Sequence, residues 1–409
     1  MLANTVKMLG IFSKRPEFDE VLHVGRPNIG NRQKLYERLD DLLDRSWLTN
    51  NGLYVREFEK RVADYLNVKH CIAMCNGTVA LEITCRALGM TGEVIIPSFT
   101  FIATAHALQW QEVTPVFCDI DSQTYTIDPK QIECFITPRT TGIIGVHLWG
   151  QPCHVEALEA IAQKHNLRII FDASHAFGCT HLGKMVGGFG IAETFSFHAT
   201  KFVNSSEGGA VVTNDDDLAG KIRLMKNFGF EGMDNVIYIG TNGKMSEMSA
   251  AMGLTSLDQI ESFIAINRKI YHTYRRNLNN LEGIRFREID ESEKNNYQYI
   301  TIEIDEQVAN ISRDLLMKIL HFENIRARRY FYPGCHHMEP YRSYYPNAGI
   351  LLPITEQKTD RVLCLPTGSS INPATAEKIC SIIIFAVENS AEIKLRLQSE
   401  TDKIARDIR

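Results

Sequence analysis

From about residue 68 the chain alternates short apolar runs, rich in Val and Ile, with amphipathic stretches. Runs such as EVIIPSFT and LRIIFDASHAFG contain unbroken apolar stretches, VII and IIF, which indicates strands that are covered on both faces. Stretches such as HVEALEAIAQKHN, whose apolar residues lie three and four positions apart, predict helices between these strands. Strands that alternate with helices are typical of a largely parallel sheet with helices on both sides. The alternation therefore predicts an α/β fold.

The pattern changes in the second half of the chain. Glycines are frequent near residues 230–245, and a long helical segment is predicted over roughly 245–280. Beyond it, NYQYITIEI and VLCLPTG read as strands, SRDLLMKILHFEN reads as a helix, and the tail from about residue 374 is helical. We interpret residues 1–260 as an N-terminal arm with a large domain, and residues 261–409 as a smaller C-terminal domain.

Composition narrows the class of protein. Hydrophobic residues make up 44% of the 409 residues, enough for a substantial core, and the formal net charge is -5. This charge argues against binding to nucleic acid or to anionic membranes. No apolar run reaches the roughly 18 to 20 residues that span a bilayer, and the N-terminal stretch lacks a convincing secretory cleavage site. Ten cysteines without a CxxC pair favour reduced thiols, so we predict a cytoplasmic protein.

The first candidate site feature follows the strand KHCIAMC. Ligands of open α/β sheets bind at the carboxyl ends of the strands, and here Asn76, Gly77 and Thr78 directly precede a predicted helix. Glycine lets a ligand approach the backbone, and Thr78 can cap the helix while free N–H groups face an anion. An ordinary helix cap, with no ligand, explains the same residues equally well.

Two further strand ends carry a carboxylate and a lysine. Asp172 ends an apolar strand, where a carboxylate needs a cation or several donors. Ser196 and His198 precede Lys201, which lies among Ser, Thr and Gly. A phosphate cradle, a buried acid and a lysine are what pyridoxal 5'-phosphate (PLP) requires. Asp172 would keep the pyridine nitrogen protonated, and Lys201 would need a pKa lowered from ~10.4 towards ~7 to 8.

The runs FDASHAFG, FSFHATK and EGGAVVTND resemble consecutive signatures of the DegT/DnrJ/EryC1/StrS sugar aminotransferases, which have the fold-type I PLP architecture. The resemblance continues over most of the chain, from SWLTNNGLYVREFEKRVADYL through NGTVALEI, VIIPSFTFIATAHAL and GVHLWGQPC to TNGKMSEMSAAMGL. It implies a large domain with a mostly parallel, seven-stranded sheet and a smaller α+β domain at the C-terminus.

The resemblance implies roles for four residues around the cofactor ring. Lys201 is similar to the catalytic lysine that binds the cofactor aldehyde, and Asp172 to the aspartate paired with the pyridine nitrogen. Phe101 occupies the position of an aromatic ring that stacks on the cofactor, although a plain core residue is the alternative. His175 matches a histidine near the cofactor ring, and hydrogen bonding to a backbone carbonyl is its simpler explanation.

The resemblance also implies residues for the cofactor phosphate. Gly77 and Thr78 are similar to the phosphate-binding turn, and Ser196 to a further donor, unless Ser196 only caps a turn. Asn242 matches an asparagine that reaches the phosphate from the neighbouring subunit, which implies a homodimer with shared active sites. Family members more often read Gly-Tyr-Asn-Tyr-Arg-Met around this asparagine, whereas this chain reads GTNGKM.

Substrate contacts are expected from the C-terminal half. Arg328, Arg329 and Tyr330 combine charge with an aromatic ring, which suits a diphosphate and a nucleobase. Their surroundings, ENIRARRYFYPGCHHMEPYRS, resemble those in members that act on dTDP-linked 4-keto-6-deoxyhexoses. Thr49, in SWLTNNG, is expected to face the substrate or the amino donor.

The same stretch contains Cys335, His336 and His337, which are potential metal ligands. Two adjacent histidines are expected to project in different directions, and no second ligand cluster has the usual zinc spacing. We therefore predict no metal.

These expectations define one enzyme with open alternatives. We predict a PLP-dependent aminotransferase that moves an amino group from L-glutamate to C4 of a dTDP-4-keto-6-deoxyhexose. Amination at C3 of a sugar, or of an inosose, remains the alternative within the family. Dehydratases of the superfamily resemble this pattern with histidine in place of Lys201, which argues against that activity. A non-catalytic, sugar-nucleotide-binding regulator would not need Lys201 and Asp172 together.

Overall fold

The computed structural model describes residues 5–407, and side chains up to residue 399. Seven strands form its main sheet: β1 His70–Met74, β2 Glu93–Pro97, β3 Thr114–Cys118, β4 Thr140–Val146, β5 Arg168–Asp172, β6 Ala192–Ser196 and β7 Gly209–Thr213. Their order is β1-β7-β6-β5-β4-β2-β3, and only β7 runs antiparallel to its neighbours. The predicted α/β fold with a mostly parallel, seven-stranded sheet is confirmed.

Helices cover both faces of this sheet. Successive residues of β1 point to opposite faces, as the two-residue period of a strand requires, so Ile72 and Met74 lie in one core and Cys71 and Ala73 in another. The helices of this part are α1 Arg32–Arg45, α2 Leu53–Leu66, α3 Gly77–Ala87, α4 Ala103–Gln109, α5 Val155–Lys164, α6 Asp216–Met225, α7 Glu247–Leu257 and α8 Ile260–Leu278. Burial on both faces explains why the strands are almost continuously apolar.

The helical segment predicted over roughly 245–280 is present, and it consists of two helices, α7 and α8. The chain leaves the helical path between α7 and α8, where Gln259 has φ -119° and ψ 10°. The preceding Asp258 accepts hydrogen bonds from Arg38 at 2.9 Å and pairs with Arg61 at 2.8 Å.

The C-terminal part has its own antiparallel sheet. Its strands are β8 Ile284–Phe286, β9 Ile300–Ile304 and β10 Val362–Leu365, in the order β8-β9-β10. Its helices are α9 Arg313–Phe322, α10 Pro353–Arg361, α11 Pro373–Glu388 and α12 Ser390–Asp407. The strands and helices predicted in this region are present.

The N-terminal residues pack with the C-terminal part. Val6, Leu9 and Ile11 are buried in the core formed by the small sheet, α9 and α11. Helix α8 contributes Ile260 and Phe263 to a core of the large sheet and its later residues to the C-terminal core. The domain boundary at residues 260 and 261 stays a prediction. Over the described part of the chain, every helix is too short or too polar to cross a membrane.

Candidate active site

A cavity of about 510 Å³ lies at the carboxyl ends of β1, β5 and β6. Parallel strands place their carboxyl ends at one edge, so residues distant in the sequence meet there. The cavity is lined by eight of the predicted site residues, namely Gly77, Thr78, Phe101, Asp172, His175, Ser196, Lys201 and Tyr330. The predicted cofactor residues of a single chain therefore share one site.

Asp172, at the end of β5, is buried and has two donors. Its Oδ2 accepts a hydrogen bond of 3.0 Å from the Thr104 hydroxyl, and its Oδ1 accepts one of 3.1 Å from the Ser174 backbone N–H. These donors stabilise the carboxylate in a site that water reaches poorly. Each oxygen keeps a second lone pair, so the carboxylate can accept another hydrogen bond from a group in the cavity.

Lys201 lies in the loop that follows β6. Buried Phe197 and Phe202 anchor this loop, and the backbone N–H of Lys201 donates to the carbonyl of His198 at 2.8 Å. Burial lowers the pKa of Lys201 to about 8, although the negative charge of Asp172 opposes part of this shift. The amine therefore loses its proton much more readily than an exposed lysine, as a nucleophile and base must.

His175 is buried between aromatic rings. Its ring lies parallel to that of Phe331, with centroids 5.7 Å apart, and contacts Tyr299 at 4.7 Å. The Nδ1 accepts a hydrogen bond of 3.4 Å from the Trp149 backbone N–H, which leaves the proton on Nε2. Burial, and secondarily the charge of Lys201, lower the pKa of His175 well below its usual value. The imidazole is therefore neutral near pH 7.

The N-terminus of α3 opens onto the cavity. The capping residue is Asn76, whose Oδ1 accepts a hydrogen bond of 2.8 Å from the Val79 N–H, so Thr78 does not cap the helix as suggested. The N–H groups of Gly77 and Thr78 belong to the first turn and have no helical acceptor. A Cβ on Gly77 would lie 2.9 Å from the Cβ of Ser196. Glycine thus allows the helix end and β6 to approach and form an anion cradle.

Phe101 is not a core residue. Its side chain is 55% exposed, lines the cavity and approaches Phe331 with ring centroids 6.3 Å apart. The alternative of a plain core position is therefore wrong, and one side of the cavity has an available aromatic surface.

Four predicted site residues lie outside the cavity of their own chain. Arg329 pairs with Asp314 at 3.1 Å, and Arg328 is exposed with its guanidinium 5.2 Å from the centre of the Tyr330 ring. Thr49 and Asn242 are both exposed and do not line this cavity.

Three residues that sequence reasoning missed complete the site. Thr104 orients Asp172, and Tyr299 and Phe331 enclose His175. Nothing in the local sequence distinguishes Thr104 or Tyr299 from other buried residues. One indication in the sequence points to Phe331, which directly follows Tyr330 in the stretch already assigned to the substrate.

The donor set of the cavity fits PLP. Lys201, with its lowered pKa, suits the cofactor aldehyde. The buried carboxylate of Asp172 can accept a hydrogen bond from the pyridine nitrogen, and the open N-terminus of α3 suits the phosphate. Together with the mostly parallel sheet, these groups define a PLP-dependent transferase of fold-type I.

Comparison with known proteins identifies the family. The model of the DegT/DnrJ/EryC1/StrS aminotransferase family matches residues 30–384, and the chain belongs to this family. The dTDP-4-amino-4,6-dideoxy-D-glucose transaminase of Escherichia coli is 36% identical over 369 residues, which cover 90% of this chain and 99% of that protein.

Solved structures agree with this identification. The structure of DesI in the presence of its TDP-sugar product is 48% identical, has a TM-score of 0.93, and the match covers 96% of this chain and all of DesI (100%). NtdA from Bacillus subtilis, with bound cofactor PMP, is 28% identical with a TM-score of 0.79, over 87% of this chain and 82% of NtdA. The chain is a PLP-dependent sugar aminotransferase, as predicted, and the dehydratase and non-catalytic alternatives are set aside.

Proposed function

We propose that this enzyme transfers an amino group from L-glutamate to C4 of a dTDP-linked 4-keto-6-deoxyhexose. The observation that carries the proposal is the match to DesI, which was solved with a TDP-sugar product and is 48% identical over 96% of this chain. The name of the Escherichia coli relative, dTDP-4-amino-4,6-dideoxy-D-glucose transaminase, supports the position of the amine at C4.

In this proposal Lys201 carries the protons. PLP, when bound, supplies an electron sink that makes the Cα proton of the amino donor acidic. The Nζ of Lys201 takes that proton from Cα of glutamate, and in the return half-reaction it delivers a proton to C4 of the sugar. The lowered pKa of Lys201, about 8, suits a group that accepts and releases a proton near neutral pH. One residue serves both half-reactions because one cavity receives both substrates in turn.

The other cavity residues bind and orient. With PLP bound, Asp172 would accept a hydrogen bond from the pyridine nitrogen, and the ring of Phe101 would be available to stack on the cofactor. The N–H groups of Gly77 and Thr78, with the Ser196 hydroxyl, would donate to its phosphate. These roles are supported by the shared cavity and by the open helix end.

His175 and Tyr330 complete the proposed roles. Neutral His175 keeps its Nε2–H available as a donor near the cofactor, because its Nδ1 accepts from the backbone of Trp149. Tyr330 lines the cavity, and the guanidinium of exposed Arg328 lies 5.2 Å from the centre of the Tyr330 ring. We assign Tyr330 and Arg328 to the nucleotide part of the substrate. Arg329, predicted for the same role, pairs with Asp314 and does not line the cavity, so we do not assign it a substrate contact.

We also propose that the active enzyme is a homodimer. Asn242 and Thr49 are exposed outside the cavity of their own chain, where they are free to reach the cavity of a partner. The large apolar side chains of Met233 and Ile239, near Asn242 in the sequence, are also exposed, which favours a covering surface. All ten cysteines are free, in keeping with the proposed cytoplasmic location.

The absorption spectrum of the PLP-loaded protein tests the amino donor. We expect a yellow band that bleaches on addition of L-glutamate, with release of 2-oxoglutarate, and no bleaching in Lys201→Ala. A band that L-glutamate leaves unchanged would refute glutamate as the donor.

The sugar substrate requires a second measurement on the same protein. The glutamate-bleached enzyme is mixed with dTDP-4-keto-6-deoxyglucose, its 3-keto isomer or the GDP-linked 4-ketosugar. We expect the yellow band to return with the dTDP-linked 4-ketosugar, and mass spectrometry and NMR to place an amine at C4. Faster recovery with the 3-keto isomer or with the GDP-linked sugar would overturn the proposed substrate while leaving the aminotransferase class intact.

A further inference from the structure

A cluster of two histidines and a glutamate lies outside the cofactor cavity. His336 and His337 belong to the short helix Cys335–His337, and Glu356 belongs to α10. The Nε2 atoms of both histidines approach the same oxygen, Oε1 of Glu356, at 2.5 Å for His336 and 2.7 Å for His337. We propose that His336, His337 and Glu356 bind a zinc ion, and that the ion acts on the loop before the active-site Phe101 through the hydrogen bonds between His336 and Ser98.

The donor atoms already converge. The expectation that the adjacent histidines project in different directions was wrong, because in this short helix their ring centroids are only 4.1 Å apart. One ligand atom from each of the three residues lies within 4.8 Å of the other two. Zn–N and Zn–O bonds of about 2.0 to 2.2 Å in a tetrahedral site separate ligand atoms by roughly 3.3 Å. A small outward rotation of the Glu356 carboxylate would therefore make room for the ion.

The outer side of His336 is held as in a metal site. Its Nδ1 shares a hydrogen bond of 2.6 Å with the hydroxyl of Ser98, which is fully buried at the end of β2. The Ser98 oxygen also accepts the backbone N–H of His336 at 3.1 Å. When Nδ1 donates to Ser98, the lone pair of Nε2 points to the cluster. Histidine ligands in proteins are oriented by this kind of second hydrogen bond.

The first turn of α10, which leads to Glu356, is anchored to the large domain. Asp119 accepts hydrogen bonds of 2.9 Å and 2.8 Å from the backbone N–H groups of Ile354 and Thr355 in the first turn of α10. A Cβ on Gly349 would lie 2.8 Å from Oε1 of Glu356 and 3.7 Å from Nε2 of His336, so glycine keeps space beside the cluster. A preformed ligand set reduces the ordering cost of binding.

The cluster has an open side. The side chains of His337 and Glu356 are 41% and 39% exposed, whereas that of His336 is buried. Three protein ligands and an open position leave room for water as the fourth ligand of a tetrahedral zinc. Two imidazole nitrogens and a carboxylate suit zinc better than calcium or magnesium, which prefer oxygen.

A bound ion would act on the active-site loop. The backbone N–H of Cys335 donates to the carbonyl of Ser98 at 2.9 Å, and the Cys335 thiol donates to the carbonyl of Thr100 at 3.4 Å. Thr100 and Phe101 line the cofactor cavity. Zinc would therefore fix the position of this loop without taking part in the reaction. The competing explanation is a cluster held only by hydrogen bonds, in which both Nε2–H groups donate to Glu356.

Zinc titration of the PLP-loaded protein separates these explanations. The protein is treated with a chelator, desalted, and titrated with zinc against a chromophoric competitor. We expect one zinc per chain in the wild type, and loss of this site in His337→Gln and Glu356→Gln, both of which alter exposed side chains. Ser98→Ala should weaken binding by about 10- to 100-fold, the usual effect of losing an outer hydrogen bond.

The matched control is His165→Gln. The Nε2 of His165 likewise lies 2.9 Å from Oε1 of a glutamate, Glu133, but this oxygen is shared with Lys164 instead of a second histidine. This variant should keep the wild-type stoichiometry and affinity. Cobalt in place of zinc should give visible bands of a four-coordinate site, absent in His337→Gln. Failure of the wild type to bind zinc, or equal binding by His337→Gln and Glu356→Gln, would overturn the proposal.

Discussion

Two opposing effects in one cavity determine the pKa of Lys201. Burial disfavours the protonated amine and lowers its pKa to about 8, whereas the carboxylate of Asp172 favours the protonated form. Asp172 in turn accepts hydrogen bonds from the Thr104 hydroxyl and the Ser174 backbone N–H. The reactivity of the lysine therefore depends on a carboxylate that is itself positioned by neighbouring residues.

The pH dependence of lysine reactivity tests this balance. In protein freed of PLP, we expect the rate at which an amine-reactive reagent modifies Lys201, followed by peptide mass spectrometry, to rise with pH through a midpoint near 8. Asp172→Asn should shift the midpoint to lower pH, because it removes the charge that favours the protonated amine. Exposed Lys130, measured in the same digest, is the reference. A shift to higher pH in Asp172→Asn would contradict this account.

We expect buried Lys201 to lower the free energy of unfolding of the cofactor-free protein. Because its pKa is lowered on folding, the protonated amine destabilises the folded state at all pH values below about 8. We expect Lys201→Met to raise the free energy of unfolding at pH 7 by about 1 to 3 kcal/mol. The gain should shrink as the pH rises from 8 towards 10.5, where the lysine becomes neutral in both states.

Denaturant unfolding at pH 7 and pH 10 measures this gain. Lys130→Met, at an exposed position, is the control and should change stability little at either pH. A Lys201→Met gain that stays constant over this range would indicate better packing rather than relief from a buried charge.

At the scale of elements, the contact between α3 and β6 forms the phosphate cradle. A methyl group at Gly77 would lie 2.9 Å from the Cβ of Ser196, so the helix end and the strand would have to separate. We expect Gly77→Ala to weaken PLP binding by about tenfold or more, the equivalent of losing one hydrogen bond to a charged group. Cofactor affinity is measured by fluorescence titration of the cofactor-free protein.

Gly220 provides the matched control. It lies within α6, and a Cβ added there would meet no atom within 4 Å. Gly220→Ala should leave PLP affinity unchanged and stabilise the protein by about 0.4 to 1 kcal/mol, as alanine does in a helix interior. Equal PLP affinity in Gly77→Ala and the wild type would show that the cradle does not depend on this close contact.

The sequence patterns predicted which helices and strands form better than they predicted where each one ends. The strands of the large sheet were predictable because burial on both faces requires continuous apolar runs. The break between α7 and α8 was missed, because it depends on Asp258 and its partners Arg38 and Arg61, which come from other helices. The cap of α3 was assigned to Thr78, although Asn76 at the strand end makes the hydrogen bond.

The site was predictable where its residues lie in contiguous motifs at strand ends. Lys201 and Asp172 were found in this way, and the structure places both in one cavity. Thr104 and Phe331 were missed, because their roles arise from packing between distant segments. The partner of Arg329 was missed for the same reason, since Asp314 lies on α9.

At the scale of the whole molecule, both parts of the chain build the active site. The large sheet contributes Lys201 and Asp172, and the C-terminal part contributes Tyr299, Tyr330 and Phe331 to the same cavity. A change in the relative position of the two parts would therefore alter the substrate side of the cavity while leaving the lysine and its carboxylate in place.

We expect residues of a second chain to complete the active site. Asn242 is exposed and does not line the cavity of its own chain, so a role at the phosphate requires a partner subunit. Asn242→Asp would place a carboxylate against the phosphate, so this variant should lose activity as a homodimer. The Lys201→Ala homodimer should also be inactive. Sedimentation should show that each remains a dimer. A monomer at working concentration in the wild type would contradict shared sites at the outset.

A hybrid dimer decides whether Asn242 acts across the interface. Coexpression with two affinity tags yields a dimer with Lys201→Ala in one chain and Asn242→Asp in the other. If Asn242 serves the partner's cavity, one site of the hybrid combines both substitutions, and the other has native Lys201 and native Asn242. Activity should then return to about half that of the wild type, because a twofold dimer has two equivalent sites. If Asn242 serves its own chain, each site carries one defect and the hybrid stays inactive. Because both homodimers are first shown to be inactive, the recovered activity reports which chain supplies Asn242 to each site.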